Sequence, residues 1–81
     1  MYKLNKLTQA HPVCRELRRI RTVELRISQA EFAAMVGVCK DAISKHEVGM
    51  RNPSTDVMEL YEAFLRRWRE KAEDLRKARE R

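Results

Sequence analysis

Four side chains could bring thiol or metal chemistry, Cys14, Cys39, His11 and His46, and their spacing assembles none of it. Zinc sites are built from paired elements such as C-x-x-C or H-x-x-x-H, and no such pair is present. The cysteines read as two ordinary thiols, too few for a disulfide framework. No Ser/His/Asp or Cys/His grouping falls at a catalytic spacing, and no glycine-rich phosphate loop occurs. A chain of 81 residues also leaves little volume for a pocket. The expectation is a non-enzyme with no cofactor and no metal. Charge is more informative, with 18 Lys and Arg against 12 Asp and Glu, a net +6. Residues 1–55 hold ten bases and five acids, whereas residues 56–81 hold eight and seven. A basic segment gathers polyanions by counterion release, so nucleic acid is the first candidate partner and an anionic membrane the second. Charge alone does not choose between them.

The elements that must position these charges are helical. Length predicts one domain, small enough to gain from a partner subunit. Two Gly and two Pro leave long stretches free to stay helical. No run of about 18 apolar residues exists to span a membrane, and the first residues lack a signal-peptide pattern, so the expected compartment is the cytoplasm. Residues 1–10 show no period and read as an arm, with Tyr2, Leu4 and Leu7 able to pack locally. Pro12 suits a first helical turn, and Val13, Leu17, Ile20 and Val23 or Glu24 recur at helical spacing, predicting a helix over 12–25. Ser28 and Glu31 form an S-x-x-E capping box for a second helix, whose inner face is Phe32, Ala33 and Val36 and whose end is Gly37. A third helix follows at once, Lys40 to Glu47, turned inward at Ile43 and His46 and stopped by Gly49. Ser54 caps a fourth, over 55–78, carrying Val57, Leu60, Tyr61, Phe64, Leu65 and Trp68, then Ala72, Leu75 and Ala78.

Two short helices joined by a glycine-containing turn make a helix-turn-helix. Ala33 supplies the small residue at the crossing, Gly37 the freedom to adopt positive φ, and Ile43 the apolar anchor of the second helix. The segment ISQAEFAAMVGVCKDAISKHEVGMRNPS, Ile27 to Ser54, resembles the Cro and lambda-repressor (XRE) family. Gln29, Ala33, Gly37, Ile43, Glu47, Gly49 and Pro53 fall at that family's spacing, and the likeness covers about residues 13–66. Three features depart from the pattern. His46 stands where an apolar or aromatic residue is usual, Cys39 where Ser or Thr caps, and the first link is one residue longer with Arg26 in place of Gly. The resemblance implies an all-α, lambda-repressor-like bundle of four to five helices, and a regulator that reads operator DNA. In that reading Lys40 and Asp41 enter the major groove, Lys40 donating to guanine O6 and N7 and Asp41 accepting from cytosine N4. Lys45 reaches a further base or a phosphate, and Ser44 is a second-rank contact. Gln29, with Ser28 at the start of the second helix, binds phosphate. Cys39, Arg51 and Asn52 are further phosphate candidates, and Glu47 is expected to pair with Arg21.

The expected organisation is an arm over 1–10, a DNA-binding domain over 11–66 and a helical extension over 67–81 that dimerises. Tyr61, Phe64, Leu65, Trp68 and Leu75 are the candidate dimer interface, although Val57, Leu60, Tyr61 and Phe64 also suit the monomer core. Lys71 falls in the seam, so a full coiled coil is not expected. The expected partners are double-stranded operator DNA and a second copy of the chain, with no membrane and with room for RNA polymerase. The resemblance also admits an antitoxin-like protein whose 66–81 tail grips another protein. With no ligand domain in view, a repressor or autoregulator that responds to its own concentration is preferred.

Overall fold

The structure, a computed structural model, describes residues 10–79. The expected N-terminal arm therefore lies outside the described residues except for Ala10, which is buried. The first helix, α1 (Pro12–Arg19), starts where expected: Pro12 needs no partner for its missing N–H, and His11 Nδ1 accepts from the Val13 N–H at 3.1 Å. At Ile20 the helix widens into a π-helical turn, Ile20–Leu25, that ends at Arg26 in the left-handed region (φ 55°, ψ 47°). Arg26 takes this conformation without being glycine, and the Ile27 N–H closes the turn on the Arg21 carbonyl at 3.1 Å.

This wide turn corrects the expected inner face of the first helix. Val13, Leu17 and Ile20 point into or against the core as expected, but Val23 is 57% exposed and Leu25 takes the packing position. A π turn places more residues per revolution than an α turn, so the apolar face arrives later in sequence. Cys14 joins Leu17 and Ile20 in the core, and burial, with Glu47 nearby, pushes its thiol up to about 11.

The second helix, α2 (Gln29–Val36), opens on the full capping box. The Glu31 N–H donates to Ser28 Oγ at 3.0 Å, and the Ser28 N–H donates to Glu31 Oε1 at 2.9 Å. Gly37 ends it at φ 91°, with the N–H groups of Gly37 and Val38 both on the Ala33 carbonyl. The third helix, α3 (Lys40–Glu47), begins three residues later. The fourth, α4 (Thr55–Arg79), is 25 residues long, about 37 Å at 1.5 Å per residue.

All four helices of the described residues contribute to one core. Cys14, Leu17 and Ile20 of α1 and its extension meet Phe32, Ala33 and Val36 of α2, Ile43 of α3, and Tyr61, Phe64 and Leu65 of α4. Phe32 meets Phe64 edge-on with ring centroids 5.2 Å apart, and Phe64 stacks on Trp68 at 6.5 Å. His46, the departure from the apolar pattern, is 4% exposed and matched by Tyr61, with Nδ1 and the phenol oxygen 2.6 Å apart. A buried imidazole is tolerated here because a buried hydroxyl satisfies it.

Two expectations about α4 change. Tyr61, Phe64 and Leu65, candidates for a dimer interface, lie inside the protomer's own core and have almost no surface to give a partner. Leu60, expected on the same inner face, is 42% exposed. Beyond Trp68 the helix runs past the globule as an exposed extension, unbroken across the boundary expected near residue 66.

Candidate nucleic-acid interface

The site is organised by one carboxylate. Glu47, the last residue of α3, is 6% exposed and accepts three hydrogen bonds. Arg21 reaches it from the π turn in a fork, Nε to Oε2 at 2.7 Å and Nη2 to Oε1 at 2.9 Å. Gln29 Nε2, at the start of α2, donates to Oε1 at 3.0 Å. The third guanidinium nitrogen, Nη1, donates to the Ile27 carbonyl at 2.9 Å. Bonding to Glu47 raises the Arg21 pKa further, so the fork stays charged at any physiological pH. One part-buried ion pair thereby joins the π turn, the start of α2 and the end of α3. The Arg21–Glu47 pairing is as expected; the recruitment of Gln29 and Ile27 is not visible in the sequence.

Between the two short helices the packing is apolar. Ala33 is small enough to let them approach, Val36 and partly buried Val38 fill the wedge, and Ile43, 2% exposed, anchors α3. Burying a side chain of that size is worth about 2 kcal/mol. With one flank of α3 held by Ile43 and His46, its opposite flank and first turn face solvent. Lys40 and Asp41 are exposed there, and Ser44 is half-buried. Asp41 and Lys45 form an ion pair at 3.0 Å across one turn. Exposed pairs of this kind are worth about 0–1 kcal/mol, so either member can exchange its partner for a base at little cost.

The phosphate candidates are spread around this ridge. Ser28 spends its hydroxyl as acceptor in the cap, leaving the hydroxyl hydrogen free to donate. Gln29 uses one amide N–H on Glu47, and the amide carries a second. Cys39 is an exposed free thiol at the N-cap position of α3 and makes no capping hydrogen bond, as a weak donor and acceptor should. Arg51 and Asn52 are exposed in the loop after α3. They stand at the far end of a helix about 12 Å long from Lys40, so they form a second candidate region apart from the ridge itself. Among the described residues no group of three or more His, Cys, Asp or Glu is placed to hold a metal ion, and no helix is long and apolar enough to cross a membrane.

Two short helices locked at a glycine corner, with the first turn of the second projecting a polar ridge, define a helix-turn-helix DNA-binding module. The family model described as Helix-turn-helix (HTH_3) matches residues 17–70, and the chain belongs to that family, the lambda-repressor-like (XRE) class. It is a family of DNA-binding transcriptional regulators and not of enzymes. No curated protein and no solved structure matches the chain.

Proposed function

We propose that this regulator is a repressor or autoregulator in the bacterial cytoplasm that binds palindromic operator DNA as a homodimer. Lys40 and Asp41, with Ser44 a turn further on, read base edges in the major groove, and Lys45 reaches a further base or a phosphate. Ser28, Gln29, Cys39, Arg51 and Asn52 hold phosphates on either side. The single observation that supports this reading most is the exposed first turn of α3 on a corner clamped by Arg21, Glu47 and Gln29. A groove-sized ridge already fixed in place loses little conformational freedom on binding, which favours affinity.

Dimerisation is assigned to the part of α4 beyond the core. Trp68 is half-buried and Leu75 is 54% exposed, and they border a shallow groove with Ala72. A two-fold dimer places its two reading helices about one DNA turn apart. Footprinting across the promoter of the protein's own gene, with the solution mass measured in parallel, tests both parts. The expected result is a symmetric protected site and a dimer mass. A monomer that binds DNA only with a second protein on α4 would favour the antitoxin-like alternative.

A further inference from the structure

A second basic surface lies outside the helix-turn-helix, on the outer face of α1. Residues 11–28 carry five arginines and two acids. Both acids are committed, Glu16 to Arg69 at 2.7 Å and Glu24 to Arg19 at 3.1 Å. Arg21 is taken by Glu47. Arg15 and Arg18 are exposed, one turn apart, and have no ion-pair partner among the described residues. They line a shallow groove with Arg19, Thr22, Val23 and Glu47. The only acid lining that groove is Glu47, whose oxygens already accept from Arg21 and Gln29. The groove is therefore net positive with its one carboxylate saturated, and it begins where the reading helix ends.

We infer that Arg15 and Arg18 bind the phosphates of duplex DNA, so that the contact continues from the start of α2 onto α1. The inference rests on the DNA-binding reading and extends it to a helix outside the motif. The outer face of α4 does not share this character, because there acids alternate with the bases and the segment is almost neutral. Two guanidinium groups a helical turn apart suit successive phosphates on one strand, and they carry no sequence information.

The test is the salt dependence of binding to a random-sequence duplex, which needs no knowledge of the operator. Each phosphate contact contributes about 0.9 to the slope of log K against log salt, so Arg15→Gln with Arg18→Gln should flatten it by about 1.8. Over a fourfold rise in salt the double variant should lose about 12-fold less affinity than the unaltered protein. Arg15→Lys with Arg18→Lys should restore the slope, and both variants should keep the original helical spectrum. A charge-matched control, Arg67→Gln with Lys77→Gln on α4, should leave the slope unchanged. An unaltered slope in the Gln variant, or an equal fall in the control, overturns the inference. Failure of operator reading looks different: the unaltered protein would bind every duplex equally, and the slope comparison would still stand.

Discussion

Replacing Glu47 by alanine removes the acceptor shared by Arg21 and Gln29, and the cost can be worked from the geometry. Three hydrogen bonds are lost, two of them from the Arg21 guanidinium at 2.7 and 2.9 Å. The Arg21 side chain is 12% exposed and keeps only the Ile27 carbonyl. Stranding one member of a fully buried pair costs about 3–5 kcal/mol, most of it the uncompensated charge, and the part-burial of Arg21 puts this loss at the lower end, about 3 kcal/mol. A chain of 81 residues has a total stability of roughly 4–12 kcal/mol at 0.05–0.15 kcal/mol per residue, so the loss is a large share of the whole. Urea unfolding followed by helical circular dichroism and Trp68 fluorescence measures it directly. Glu47→Gln keeps the shape and one acceptor oxygen and should cost less than the alanine. Replacing the pair together, Arg21→Met with Glu47→Leu, should recover much of the loss because no charge is left buried. If Glu47→Ala stays within about 1 kcal/mol of the unaltered protein, water solvates the guanidinium and the clamp does not organise the fold.

Three further outcomes follow from the same structure. Gly37→Ala should cost about 1–2 kcal/mol in unfolding free energy, entirely through backbone strain at φ 91°, since a Cβ there meets nothing within 4 Å; Gly37→Asn should cost less. Burial, then the positive charge of Arg51, lowers the His46 pKa, so its contribution to stability is complete above the unfolded value near 6.5. That contribution should fade as pH drops below about 6.5, and the urea midpoint should fall on acidification through that range by more than in His46→Leu. Lys40→Ala should weaken binding to the footprinted site far more than to random DNA, whereas Lys45→Ala should lower both in titrations at fixed salt; equal losses for Lys40→Ala would remove it from the base-reading set.

The features legible in sequence are those whose cause is local. The Ser28–Glu31 box, the stop at Gly37 and the start of α1 at Pro12 each depend on a few adjacent residues, and each is found as expected. The Arg21–Glu47 pair crosses 26 residues and was still readable, because the family resemblance implies it. Val23 and Leu25 were not readable, since a change from α to π winding leaves no mark on composition. The apolar stripe of α4 is wide enough to serve a core and a partner, and only tertiary packing assigns Tyr61, Phe64 and Leu65 to the first. Arg15 and Arg18 share a helical spacing visible in the sequence, but their freedom emerges only once Glu16, Glu24 and Glu47 are seen to be occupied.

The π turn at Ile20–Leu25 also bears on how this chain tolerates a change of length. One residue added to an α-helix swings everything downstream by about 100°, which would take the following side chains out of register with the core. A wide turn absorbs the surplus as a local swelling, so the insertion costs one distorted turn and an arginine in a glycine's conformation. Excising a residue within that turn should let the helix rewind without disturbing the corner at Gly37.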